Sequence, residues 1–129
     1  MTESPLTVVR GCFAAYVAKD RAAIEALIAK DYHFTSPIDN ALDRQTYFAR
    51  CWPNSAAMAR FDYIYQMEDG DRAFIVYEAH TNTGQTFRNS EVHTVRDGKL
   101  VATEVYFGWD LPHHAPSGGF IEGEGEGHA

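Results

Sequence analysis

The stretch Phe87 to Trp109, FRNSEVHTVRDGKLVATEVYFGW, constrains the fold more than any other part of the chain. Two runs rich in Val, Thr, Tyr and Phe flank Arg96-Asp97-Gly98-Lys99. Gly supplies the positive φ that a tight turn needs, so the segment reads as a long β-hairpin and, from its length, as the middle of a sheet. Alternation puts Asn89, Glu91 and His93 on one face of its first strand. Turned inward, that face would bring a carboxyl group and an imidazole into a pocket; turned outward, it would be ordinary surface.

The turn decides what joins them from the second strand. A two-residue Asp97-Gly98 turn would set Glu91 opposite Glu104, two like charges that destabilise one another unless one keeps a proton. A three-residue loop with Gly98 in a bulge would set Glu91 beside Thr103, with Val101, Val105 and Phe107 on the same face. The second register is the better one, because it gathers the apolar residues on one side and leaves Arg88 and Glu104 to pair on the other.

The rest of the chain supplies helices and further strands. Residues 1–6 are a short polar lead, and Ser4 or Thr7 can cap the helical stripe of Val8, Cys12, Phe13, Tyr16 and Val17 that follows. Asp20 opens a second short helix with Ile24, Leu27 and Ile28 buried. Asp31 to Ser36 alternates as a short strand and meets Pro37. Asp43 or Thr46 opens a third helix carrying Tyr47, Phe48, Cys51 and Trp52, until Pro53 ends it. Arg60 to Met67 and Ala73 to Thr81 read as strands joined at Glu68-Asp69-Gly70-Asp71. Helices followed by four antiparallel strands give an α+β domain, a curved sheet with helices packed on one face.

With 129 residues the chain forms one domain with a single core. A net charge of −7, with eleven Lys and Arg scattered singly, argues against nucleic acid. No apolar run approaches the ~20 residues of a membrane span and no signal peptide is evident, so a soluble cytoplasmic protein is expected. Cys12 and Cys51 are too few for a disulfide scaffold and read as buried free thiols. Residues 1–109 form the expected domain. Residues 110–129, with Pro112, Pro116 and a Gly-Glu repeat, read as an irregular or disordered tail. Its His113, His114 and His128 lack a companion carboxylate or Cys at fixed spacing, so no metal site is assigned. Nothing points to a nucleotide, flavin, haem or other cofactor.

The segments VVRGCFAAYVAKD, FTSPIDN, DGDRAFIVYE, FRNSEVHTVRDGK and EVYFGW, in that order from Val8 to Trp109, resemble the nuclear transport factor 2-like superfamily. The SnoaL-like polyketide cyclases and ketosteroid isomerases are nearest in pattern. The resemblance implies a cone in which about three N-terminal helices pack against a strongly bent antiparallel sheet, with a pocket between them and a dimer through the sheet's outer face. The fold hosts isomerases, cyclases, dehydratases, epoxide hydrolases and binding proteins, so it cannot name a function. Ketosteroid isomerase chemistry is not implied: Ser36 precedes Pro37 where that family has its Asp base, and Cys12 stands where its oxyanion Tyr would be. Glu91 falls at the protonated acid and Phe107 at a pocket aromatic. Nor can an Arg be placed between two inward carboxylates, as the limonene-type epoxide hydrolases require.

By the same parity Phe74, Val76, Glu78 and His80 are expected to face inward, with Glu78 near Asn89 and Val76 near Glu91. The expected pocket has catalytic candidates Glu91, His93 and Asp39, and walls or contacts from Tyr16, Trp52, Val76, Glu78, Asn89 and Phe107. Apolar walls with a few fixed polar groups suit a small hydrophobic molecule. Burial disfavours a carboxylate's charged form, so Glu91 can serve as an acid at neutral pH, with His93 as its partner in proton transfer. The readings are an isomerase, cyclase or dehydratase acting on a carbonyl or hydroxyl compound, or a non-catalytic dimeric binding protein. The outer face, with Val92, Thr94 and Tyr106, points to a homodimer.

Overall fold

The computed structural model describes residues 3–119. Helix α1 (Pro5–Ala18) starts where Ser4 Oγ accepts the Thr7 N–H, and stops at Lys19, whose φ of 58° turns the chain out of the helix. Val8, Val9, Cys12, Phe13 and Ala15 form its buried stripe. Asp20 caps α2 (Arg21–Leu27) through the Ala23 N–H, and Asp43 caps α3 (Arg44–Arg50) through the Thr46 N–H. Pro53 does not end a long third helix; it stands in a 3-10 segment, Trp52–Ala57, that follows α3.

Six strands form one sheet: β1 (Ile28–Ser36), β2 (Asp39–Asp43), β3 (Met58–Asp69), β4 (Arg72–Thr81), β5 (Thr86–Arg96) and β6 (Lys99–Leu111), in the order β2-β1-β6-β5-β4-β3. The four antiparallel strands expected from the sequence are β3 to β6. The sheet is nonetheless mixed, because β1 joins β6 in parallel and Ser36-Pro37-Ile38-Asp39 turns the chain back into β2. β6 also runs to Leu111, two residues past the expected domain end, and the Gly-Glu repeat and His128 lie outside the described residues.

The central hairpin combines features of both registers. Arg96 pairs with Lys99 across a two-residue turn in which Asp97 (φ 53°) and Gly98 (φ 75°) are both left-handed, the backbone that matches the twist of the flanking strands. An irregularity one pair later then skips Val101: Thr94 pairs with Ala102 and Val95 with Leu100. Glu91 therefore sits opposite Val105, clear of Glu104, while Thr103 lies opposite His93. Val101 leaves the inward row and buried Leu100 takes its place.

On β4 the inward parity is the reverse of that expected. Ile75 pairs with Glu91 and Tyr77 with Asn89, and directly opposed side chains share a face. Ala73, Ile75, Tyr77 and Ala79 are accordingly buried. Phe74, Val76, Glu78 and His80 belong to the outer face, where Glu78, paired in register with Arg88, also forms its ion pair with it in place of the expected Arg88–Glu104 pair. Both rows of this strand are partly apolar, so periodicity alone could not choose between them.

Helix α1 lies over the inner face of β3 to β6. Phe13 is the centre of this contact, with ring centroids 4.8 Å from Phe61, 5.1 Å from Tyr77 and 6.1 Å from His93. Full burial of such a ring is worth roughly 1.5–3 kcal/mol, which fixes the helix over the hairpin's polar row.

Candidate functional site

Between α1, α3 and the inner face of the sheet lies a cavity of about 540 Å³, within the range usual for small-molecule sites. Of the residues expected there, Tyr16, Asp39, Asn89, Glu91, His93 and Phe107 line it. Val76 and Glu78 do not, because β4 turns them to the other side of the sheet. Trp52 does not either: its ring packs edge-on against Tyr16, centroids 4.9 Å apart, and supports the wall from behind.

The polar row of β5 is braced from both neighbouring strands. Tyr77 donates its phenolic hydrogen to Glu91 Oε2 at 2.6 Å, and Asn89 Nδ2 reaches the same phenol oxygen at 3.4 Å. Asn89 is itself fixed by the Gly108 N–H, which donates to its Oδ1 at 3.1 Å. His93 Nδ1 shares a hydrogen with Thr103 Oγ1 at 3.0 Å. Its Nε2 stands 2.8 Å from Glu91 Oε1, an ion pair when the imidazole is protonated, and makes no hydrogen bond among the described residues. The Glu91 side chain is 12% exposed and that of His93 3%. The pair is thus held at the cavity wall, one Glu91 oxygen bonded to Tyr77 and the other beside an unsatisfied imidazole nitrogen.

A second polar pair faces the cavity from the helices, where the Tyr16 and Tyr47 hydroxyls meet at 2.5 Å. Burial pushes the Tyr16 phenol far up; its bond to Tyr47 works the other way and the Glu91 charge adds to the rise. Tyr77 is also pushed far above its ordinary value, by burial and then by Glu91. Both phenols stay protonated and can act as donors at any working pH. Burial, followed by Glu91, raises the Cys12 thiol to about 12, which makes it a poor nucleophile. At the mouth Ser36 donates its hydroxyl to Asp39 Oδ2 at 3.0 Å, so Asp39 is occupied locally as well as turned to the cavity.

Sequence reasoning missed Tyr77, Tyr47 and Asp110 as lining residues. Tyr77 was hidden by the ambiguous parity of β4, and Asp110 by ending the domain at Trp109. Tyr47 reads from sequence as one of the aromatic residues of the third helix, and nothing local signals that its hydroxyl meets Tyr16. On the outer face Asp62, Glu78 and His80 offer ligand atoms within 4.8 Å of one another. Arg60 binds Asp62 and Arg88 binds Glu78, so cations already neutralise both carboxylates and the cluster is a poor metal centre. The His113 ring packs against Trp109 at a tilt of 45°, centroids 4.8 Å apart.

The family model of the SnoaL-like domain matches residues 9–103, and the chain belongs to that family, within the nuclear transport factor 2-like superfamily. Solved structures share the fold. A nuclear transport factor 2-like protein of unknown function from Cytophaga hutchinsonii is 18% identical, with 84% of this chain and 93% of that one covered and a TM-score of 0.66. IdmH from Streptomyces antibioticus, a candidate polyketide cyclase, is 20% identical over 80% of this chain and 91% of its own, with a TM-score of 0.65. A candidate polyketide cyclase from Sinorhizobium meliloti is 19% identical over 77% and 93%, with a TM-score of 0.64. A comparison with curated proteins finds no match. At these identities the likeness establishes the fold alone. Among the described residues no helix is long and apolar enough to cross a membrane.

Proposed function

We propose that the protein binds a small hydrophobic compound in this cavity and moves a proton on it, with Glu91 and His93 as the acid–base pair. The observation that carries the reading is the Glu91 carboxyl group, set in an apolar wall, bonded to Tyr77 at 2.6 Å and standing 2.8 Å from the Nε2 of buried His93. Proton transfer needs an acid and a base within hydrogen-bond reach of the reacting atom in a site that excludes water. Isomerisation, aldol-type cyclisation and dehydration of a carbonyl or hydroxyl compound all meet that description. In each, Glu91 takes or returns the proton, His93 stabilises the charge on it, and Tyr16 and Asn89 orient the substrate's oxygen. Asp39 is assigned to the entrance, where it contacts the ligand or holds Ser36.

A second reading is a non-catalytic ligand-binding protein, favoured by the serine before Pro37 where an acidic base would otherwise stand. In either reading the working unit is a homodimer formed through the outer face. The Glu91→Gln variant separates the two: a catalyst loses turnover by about 100-fold or more while its thermal shift with the same ligand persists. Turnover equal to that of the wild type would remove Glu91 from the chemistry.

A further inference from the structure

Apart from the His93 imidazole beside Glu91, the titratable charges that line the cavity are acidic. Asp39, Glu91 and Asp110 bring three carboxylates to it, and none of the eleven Lys and Arg residues lines it. Every Lys and Arg lies between Arg10 and Lys99, inside the described residues, and most are engaged elsewhere. Arg21, Arg60, Arg88 and Arg96 pair with Glu25, Asp62, Glu78 and Asp71, and Lys19 and Lys99 donate to the Met58 and Ala26 carbonyls. Among the described residues neither carboxylate at the mouth has a cation partner. Asp39 accepts only the Ser36 hydroxyl, and the exposed Asp110 side chain makes no hydrogen bond or ion pair among the described residues.

The groups already in the cavity show what a negative charge meets there. For Cys12, Tyr16, Tyr32 and Tyr77 burial disfavours the anion first, and the charge on Glu91 adds to that in each. Nearer the opening, burial and then Asp39 raise the Cys51 thiol to about 11, and the Arg50 charge opposes them without cancelling the rise. A ligand carboxylate or phosphate would meet the same desolvation and the same repulsion. A cation loses hydration on burial too, but the carboxylates attract it, and at the mouth it keeps part of its water. The rim carries Phe107, 54% exposed, whose ring face attracts an ammonium group and whose edge covers an apolar skeleton.

Building on the reading of the cavity as a ligand site, we infer that its ligand is a hydrophobic amine. The skeleton packs against the aromatic walls and the protonated nitrogen stays at the mouth beside Asp39 and Asp110; carboxylates and phosphates are rejected. A neutral compound would fit the walls equally well but would leave two uncompensated carboxylates at the entrance without purpose.

The test compares three probes with one skeleton, 1-naphthylmethylamine, 1-naphthalenemethanol and 1-naphthoic acid, titrated calorimetrically into the full-length protein at pH 7 and low salt. The amine should bind most tightly and the acid most weakly, with a gap of at least about tenfold between them. In the Asp39→Asn/Asp110→Asn variant the advantage of amine over alcohol should vanish. Asp110→Asn alone, a change at an exposed side chain, should reduce it if the double variant folds poorly. An acid that binds as well as the amine, an alcohol that equals the amine in the wild type, or an amine preference untouched by the variants would overturn the inference while leaving the cavity as a ligand site. Failure of all three probes to bind would instead remove the ligand site itself.

Discussion

Glu91 owes its place to two residues that do not contact one another in sequence. Tyr77 holds one of its oxygens from β4, and Thr103 holds the neighbouring imidazole from β6, so the pair is clamped from both sides of β5. This clamp depends on protonated phenols. Tyr16, Tyr32, Tyr47 and Tyr77 are all pushed well above the ordinary tyrosine range, by burial first in every case. In the unfolded chain they ionise near pH 10. Their folded values are higher, so the stability they support is complete below about pH 10 and is lost as pH rises beyond it towards the folded values. We expect the melting temperature to fall steeply above about pH 10, with the absorbance of these tyrosinates appearing together with unfolding. Ionisation of all four without loss of structure would contradict their burial. Glu91 and His93 were legible as a pair from alternation alone, because the period of a strand is two. Tyr77 was not, since nothing local distinguishes an inward Tyr from an outward one on a strand with two half-apolar faces.

The decisive elements are irregularities in the strands. Val101 is skipped between Leu100 and Ala102, which moves Glu91 from Glu104 to Val105 and so keeps two carboxylates apart. Farther along, the register shifts again between Arg88 and Asn89, opposite Gly108. A Cβ built on Gly108 would come within 2.0 Å of the Arg88 carbonyl oxygen. No side chain fits there, and the Gly108 N–H is the donor that fixes Asn89. Gly108→Ala should therefore force the two strands apart, lowering stability by about 1–3 kcal/mol and weakening ligand binding through Asn89; a variant with unchanged melting temperature and affinity would show that the strands absorb the methyl group freely. Turn residues such as Asp97-Gly98 announce themselves in a sequence, because only certain residues tolerate left-handed backbone. A skipped residue does not, since any side chain can occupy it. That is why the hairpin was readable and its exact pairing was not. β2 was missed for a related reason: five residues after a proline turn carry too short a pattern to register.

At the scale of the whole molecule, the sheet has one face filled and one face open. The inner face holds the core and the cavity. The outer face presents Tyr65, Met67 and Tyr106, exposed at 67%, 62% and 53%, alongside Phe74, Val76 and Val92. An apolar sheet surface of this kind favours a second copy, and the expected outcome is a dimer by light scattering at micromolar concentration that Tyr106→Glu converts to monomer without altering the fold. A wild-type monomer at that concentration would count against it. The overall architecture was legible because the order of helices and strands, with their caps and turns, belongs to the family pattern. The cavity's chemistry was only half legible, since it depends on which row of β4 faces in and on Asp110 at the end of a strand longer than expected.

Proton movement by Glu91 on a bound compound can be tested before the net reaction is known. A carbonyl ligand found by thermal shift is incubated with the protein in deuterium oxide, and deuterium entering the carbon next to the carbonyl is followed by proton NMR. Exchange is expected with the wild-type protein, slowed by about 100-fold or more in Glu91→Gln while the thermal shift is kept. Exchange at the same rate in both proteins would contradict that role for Glu91.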